Sequence, residues 1–594
     1  MREDESGVAE TATGELRDEV EVRVWAPAAS EMAVVVDDRP LPMTAGSGGW
    51  WRRSIPSRPE GTEYAFLVDG EGPFPDPRSP WQPEGVHGPS RTLPDEGFPW
   101  SDQGFQAVPL GSAVIYELHL GTFTPEGTFQ SAVERLDHLV ELGVTHVELM
   151  PVAQFAGERG WGYDGVCLFA PHTAYGGPRA MKEFVDACHR RGLAVLLDVV
   201  YNHLGPEGNY LARFGPYFTD RYSTPWGAAV NLDDTGSGEV RRFFLDNALM
   251  WMRDYHVDGL RVDAIHAFHD RSALHFVEEL AREVHRLGRV LGRHLVIIAE
   301  SDLNDPRTTL PPEAGGHGSD AQWSDDFHHA LHAVLTGESE GYYRDFGQVG
   351  HIARALEEGF VYGGEYSSHR GRPHGRRLMR PRGDRLVCFA QNHDQVGNRA
   401  RGERLGHLVG MQHVKAALAL TLLGPFIPML FQGEEWAAGA PFQYFTDLQD
   451  PGLGEAVREG RRREFRAFGW APDEVPDPQD PDTHRRSVLD WSELDTAGHR
   501  EVLAWTRALL HLRRRTPELR DGIMARTRSS DDGRWLVMGR GSVQVAVNLG
   551  PAPTEIALPE LRDHVMVLPS TPEVSWWQEE LFLPAGGAAV LVRR

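Results

Sequence analysis

Cysteine is nearly absent. Cys167, Cys188 and Cys388 are the only three in 594 residues, and their spacing matches neither paired zinc ligands nor a disulfide framework. They read as small buried hydrophobes in a reducing compartment. Positive charge is also short: Lys and Arg total 60 against 86 Asp and Glu, a formal net charge of −26. That balance disfavours nucleic acid or another polyanion as a partner, and it raises no obstacle to a neutral ligand such as a sugar. The 27 histidines soften it at mildly acidic pH without reversing its sign. No apolar run is long enough to span a membrane. The opening Met1-Arg2-Glu3-Asp4-Glu5-Ser6 is acidic where a signal peptide needs a basic patch before an apolar core. These absences lead us to expect a cytoplasmic protein with no membrane contact.

What the chain does contain is a series of apolar, strand-like runs that end in acids. Gly259-Leu260-Arg261-Val262-Asp263 ends in Asp263, Leu295 to Glu300 ends in Glu300, and Leu386 to Asp394 ends in His393 and Asp394. Leu193 to His203 carries Asp198 within it and His203 just past its end. Side chains alternate along a strand, so Arg261 and Asp263 share a face, and the guanidinium favours the ionised carboxylate. A buried Arg–Asp pair kept for packing would look the same in isolation. Acids at the carboxyl ends of successive buried strands, with helices between them, describe the active face of a (β/α)8 TIM barrel.

The length calls for more than one domain. Residues 1–18 read as a disordered acidic tail, and 19–109 as an N-terminal β-sandwich of short alternating runs broken by Gly and Pro. Residues 110–518 read as the barrel with inserts, and 519–594 as a small C-terminal antiparallel β domain. The barrel is expected to open with Val114 to His119, a helix over Phe129 to Leu142, and a second strand at Val144 to Pro151. A weak sixth strand is expected at Ala321-Gln322-Trp323 and a last one at Ile427 to Gly433. A polar, Pro-rich insert (437–498) then precedes an amphipathic helix, Glu501 to Arg515.

The motifs at Asp198–His203, Gly259–Asp263, Glu300 and His393-Asp394, in that order, resemble those of the α-amylase superfamily, glycoside hydrolase family 13. Arg23 to Pro27 and Gly85 to Ser90 are similar to the sandwich that precedes the barrel in its glycogen-active members. The resemblance implies that Asp263 is the nucleophile, Glu300 the general acid/base, and Asp394 a third carboxylate gripping sugar hydroxyls. Arg261, His203, His393 and Asp198 would support them, with Tyr163 as an aromatic platform. The chemistry requires such a set: breaking a glycosidic bond through an oxocarbenium-like state takes one attacking carboxylate and one proton donor. The apolar run before Glu300 would raise its pKa.

Longer stretches, among them Trp226 to Leu232, Ala299 to Asp305, Gln322 to His329 and Gly460 to Phe465, resemble one branch of that superfamily. Its members cleave the α-1,4 bond next to the terminal trehalose of maltooligosyltrehalose. Typical α-amylases place Lys-His two residues beyond the nucleophile, where this chain has His266-Ala267, implying a different leaving group. No metal and no cofactor is expected. Trp226, Asp325 and His266 are the candidates for reading the disaccharide. Trp323, Phe327, Trp436 and Phe445 fit core packing better, as do Trp50 and Trp51. Branching or debranching enzymes share the barrel and acids, as would a catalytically inactive glucan-binding protein, although those typically lose one of the acids.

Overall fold

The computed structural model describes residues 19–94, 97–466, 471, 474–530 and 532–594; the expected tail at 1–18 lies outside them. Eight short parallel strands close a barrel in sequence order. They are β1 (Ile115–Leu118), β2 (His146–Leu149), β3 (Ala194–Val199), β4 (Gly259–Val262), β5 (Val296–Ala299), β6 (Ala321–Trp323), β7 (Leu386–Cys388) and β8 (Ile427–Phe431). The weak sixth strand is therefore present, three residues long and paired on both sides.

Strand alternation divides the barrel into two apolar sets. Ile115, Leu196, Val296, Ile298, Trp323, Val387 and Met429 fill the interior, whereas Val147, Leu197, Leu260 and Ile297 belong to the larger core that takes in the surrounding helices. Arg261, Asp263 and Glu300 follow the inward phase of their strands. Gly259 is required at its interior position: a Cβ there would lie 2.4 Å from Val296 Cγ2 and 2.8 Å from Leu196 Cδ2. The helix expected over Phe129 to Leu142 is two pieces, Phe129–Val133 and Leu136–Leu142. A Thr128/Ser131 capping box starts the first, and Arg135 interrupts before the second.

The last barrel helix begins earlier than its apolar pattern predicts, at Ala497, and ends at Arg515. Its buried Arg513 donates to the carbonyls of Leu422, Gly424 and Phe426, satisfying the end of the apolar helix Leu405–Leu423. The insert at 437–498 is more ordered than its composition predicts, with helices at Pro451–Arg466 and Pro481–Ser487.

The N-terminal antiparallel sheets rest on the loop that follows β3. Trp25 packs edge-on to Tyr217 at 5.5 Å, and Phe66 and Phe74 meet Phe214; each such pair contributes about 0.5–1.5 kcal/mol. The guanidinium groups of Arg23 and Arg78 each lie over the Trp50 ring, and the Trp51 indole donates to Ala26 O. Both tryptophans are thus engaged in packing. The C-terminal strands form a five-stranded and a three-stranded antiparallel sheet. Buried Lys415, in the Leu405–Leu423 helix, donates to Ser570 O of that region. The three cysteines are free and buried. No helix among the described residues is long and apolar enough to cross a membrane.

A buried ion cluster fastens the segment leading into the barrel against its amino-terminal face. The His189 ring nitrogens lie 2.8 Å from Asp102 and 2.9 Å from Asp258; Asp258 also meets Arg293, and Asp102 meets His256. Phe105 stacks on His189 and Trp100 on His256. Burial opposes the His189 charge, but its bonds to Asp258 and Asp102 outweigh burial and raise its pKa. The same imidazolium helps lower the pKa of both carboxylates against their own burial, whereas burial lowers that of His256. The raised His189 pKa contributes stability that is complete below the unfolded value of about 6.5 and lost as pH rises through the folded one. The lowered Asp pKa values contribute stability that is complete above about 3.9 and lost in acid. Urea unfolding should therefore show stability declining from roughly pH 6.5 upward. His189→Gln should lessen that decline and cost about 3 kcal/mol, by removing the cation that Asp102 and Asp258 share while Arg293 stays on Asp258.

Candidate active site

The carboxyl ends of β3, β4 and β5 converge on one guanidinium. Arg261, fully buried on β4, donates through Nη1 to Asp198 Oδ1 (2.9 Å), Asp198 Oδ2 (2.8 Å) and Asp263 Oδ1 (2.8 Å). Its Nη2 lies 3.4 Å from Glu300 Oε2. The guanidinium sits 4.2 Å over the Trp323 ring, which closes its other side. Burial opposes the charge on Arg261, but the surrounding carboxylates hold it charged.

Just beyond Asp263 the backbone turns sharply. Ala264 adopts φ 40°, ψ 54°, an uncommon region for a residue with a Cβ, and its N–H donates to Glu300 Oε2. This turn brings the acids of two adjacent strands together. Asp263 Oδ2 also accepts from Asn202 Nδ2 at 2.9 Å, and Asn202 Oδ1 lies 2.5 Å from His203 Nδ1. The ring of His203 is stacked flat on Trp226, with centroids 4.5 Å apart and planes 6° apart.

Two further contacts complete the wall. The Tyr163 hydroxyl donates to Asp198 Oδ2 and lies 2.7 Å from His393 Nε2. On its other side His393 meets Glu117 of β1 through both its backbone N–H and its ring. Burial opposes a charge on His393, yet the Asp394 and Glu117 carboxylates outweigh it and raise its pKa to about 9. Asp394, one residue on, stands half-exposed in the cleft, 3.5 Å from His393 Nε2.

The acids do not titrate alike. Glu300 is pushed up to about 8 by burial, against Arg261, with Asp263, Asp394 and Asp325 adding to the rise. Burial raises Asp198 to about 6 despite Arg261, and raises Asp325 to about 7 with help from Asp394 and Asp302. A protonated Glu300 therefore faces Asp263 at neutral pH, the division of labour that acid-assisted displacement needs.

Asp325 and Asp394 also line a cavity of about 260 Å³, together with Asp302, Tyr342 and Arg370. Arg370 extends from the turn of a hairpin, Gly363–Ser367 with Arg372–Gly375, and donates to Asp302 at 2.9 Å. Asp345, accepting from Tyr362, Ser367 and Ser368, anchors the hairpin. His266 is exposed and reaches this wall only through Asp302, at 3.9 Å. The structure thus gathers Asp263, Glu300, Asp394, Asp198, Arg261, His393, Tyr163 and His203 into one site. Trp226 is placed over His203, and Asp325 and His266 at the adjoining cavity. Trp323, Phe327, Trp436 and Phe445 are buried in packing.

Sequence reasoning missed Glu117, Asn202, Asp302 and Arg370. A carboxylate inside the buried run Ile115–Leu118 was a usable signal for Glu117. Arg370 had none, since only the fold of a distant insert brings it here.

Residues 93–223 match the family described as alpha amylase, catalytic domain, and residues 9–82 match carbohydrate-binding module 48, the isoamylase N-terminal domain. A candidate alpha amylase from Salmonella typhimurium, solved by crystallography, superposes with a TM-score of 0.89 at 38% identity, covering 98% of this chain and 99% of that one. Fold and site define the class, an α-amylase-type glycoside hydrolase. The chain is 50% identical to the malto-oligosyltrehalose trehalohydrolase of Arthrobacter ramosus, over 96% of its own length and 98% of the relative's. It is 46% identical to that of Mycobacterium tuberculosis (strain ATCC 25618 / H37Rv), over 90% and 93%. It belongs to the malto-oligosyltrehalose trehalohydrolase family.

Arg261→Gln should leave Asp198 and Asp263 buried without their cation. The expected cost is about 3–5 kcal/mol at neutral pH, measured by urea unfolding. The loss should be smaller at pH 5, where Asp198, with a pKa of about 6, is already mostly neutral.

Proposed function

We propose that the protein hydrolyses the α-1,4-glucosidic bond next to the terminal trehalose of maltooligosyltrehalose, releasing trehalose and a maltooligosaccharide. The observation that carries this reading is the near full-length likeness to relatives named for that activity. The geometry supports the chemistry. In the first step an Asp263 oxygen bonds to the anomeric carbon as the glycosidic C–O bond breaks, and Glu300 passes its proton to the departing trehalose oxygen. In the second, Glu300, now a carboxylate, takes a proton from water, whose oxygen displaces Asp263 and regenerates both groups.

Both acids reach the Arg261 guanidinium from adjacent strand ends, which supports a retaining pair, whose carboxyl groups lie about 5–5.5 Å apart. In this reading Arg261, Asn202 and the Asp198–Tyr163–His393 cluster orient Asp263. Asp394 holds hydroxyls of the sugar whose anomeric bond breaks. The cavity walled by Asp302, Asp325, Tyr342 and Arg370 offers carboxylate acceptors and a cation for the hydroxyls of a leaving disaccharide. Contacts that only the bent, non-reducing trehalose unit can complete in the transition state would give it a faster rate than a linear maltose unit. The strongly negative chain fits a neutral glucan and no nucleic acid, and the buried free cysteines fit action in the cytoplasm.

Asp263→Asn is expected to abolish turnover, and NMR of the first-formed product should show the α-anomer; a β-anomer would refute the mechanism. The general acid must be protonated, so the alkaline limb of kcat/KM, which reports the free enzyme, should fall near pH 8, to which burial pushes Glu300. Asp325→Asn, by removing a like charge, should move that limb to lower pH.

Chromatography of products from maltotriosyl-trehalose and from maltopentaose, run side by side, tests specificity. Trehalose should appear from the first, with kcat/KM at least about tenfold higher, since one good polar contact to a hydroxyl accounts for roughly 1–3 kcal/mol. Equal efficiencies would identify an ordinary amylase.

A further inference from the structure

Trp226 sits at the turn of a hairpin formed by Phe218–Thr224 and Gly227–Val230, and 48% of it remains exposed, high for so large an apolar side chain. One face of the indole is covered by His203. Beneath, contacts run without a gap: His203 Nδ1 to Asn202 Oδ1 at 2.5 Å, then Asn202 Nδ2 to Asp263 Oδ2 at 2.9 Å. His203, Asn202 and Asp263 are all buried. The exposed tryptophan is thus three contacts away from the carboxylate that attacks.

The hairpin is also tied to the loop after β4. Tyr222 stacks on His269 at 4.8 Å, the Arg271 guanidinium lies over Tyr222, and the Arg271 N–H donates to Asp233. Trp226 is therefore a mounted side chain and not a loose loop residue. Burial lowers the pKa of His203, so the stacked ring is the neutral imidazole. The contact between the two rings is then chiefly dispersion, which depends on close parallel packing.

We infer that Trp226 is a positioning residue for Asp263. Its outer face takes the apolar face of a sugar unit adjoining the scissile bond, and its inner face holds His203, and through Asn202 the nucleophile, in the attacking orientation. This inference rests on the proposed glucan substrate and assigns Trp226 a second role beyond contact. A stacking platform alone adds equal binding to the ground and transition states and is read in KM; a group that also orients the nucleophile is read in kcat. Small misplacements of a reacting group are costly, which makes the kcat effect measurable.

The test uses the full-length protein, with Trp226→Ala and Trp226→Phe assayed on maltotriosyl-trehalose. Trehalose release by the wild type secures the substrate reading independently of either variant. Trp226→Ala should raise KM and also lower kcat by about tenfold or more. Trp226→Phe, which keeps a flat ring on His203, should restore kcat to within about threefold of wild type while KM stays raised. Thermal unfolding should leave both variants within a few degrees of wild type, since the side chain lies at an exposed turn. A rise in KM with kcat unchanged would overturn the positioning role and leave a simple platform. No change in either constant, or a kcat loss in the Phe variant as large as in the Ala variant, would also overturn it.

Discussion

One buried cation orders the site. Arg261 on β4 lies at hydrogen-bond or ion-pair distance from Asp198, Asp263 and Glu300, which come from three neighbouring strands. Bringing three carboxylates out of water and close together is strongly unfavourable unless a cation is shared among them. The guanidinium suits this, because its donors are fixed in one plane and it remains charged when buried. The Trp323 ring beneath it packs against its flat face.

That shared charge also differentiates the acids. Asp263 takes a direct bond from Arg261 and a second from Asn202, whereas Glu300 has only the edge of the guanidinium and one backbone N–H. Glu300 is correspondingly the group that burial and its acidic neighbours push to about 8. Unequal donation to two carboxyl groups from adjacent strands is what the proposed pairing of a nucleophile with a proton donor calls for. His393 adds a second buried cation on the far side. Glu117 holds it in place, so Tyr163 and Asp394 meet a fixed charge.

The surroundings follow from what a barrel does with its loops. Short strands end in the site, and long connections after β3 and β6 build its rim. The first supplies the hairpin of Trp226, and the second supplies Tyr342, Asp345 and the hairpin of Arg370. The barrel itself is shared with enzymes of other specificities, so selectivity between one glucan end and another has to come from these rims.

The sequence alone determined the barrel and its acids, for a physical reason: a buried strand must be a nearly continuous apolar run, and a carboxylate ending such a run has to be paid for by function or by a partner. Arg261, Asp263, Glu300 and Asp394 were all legible that way, as was the order of the strands. Even the three-residue strand at Ala321–Trp323 left a trace. What only the tertiary structure decided is which distant side chains meet. Glu117 against His393, Asn202 against Asp263, Arg370 against Asp302 and Trp226 flat on His203 are contacts across separate elements or around irregular loops. Local patterns of hydrophobicity report which face a residue presents; they carry no information on what stands opposite it, which is settled by barrel closure and by the course of the inserts.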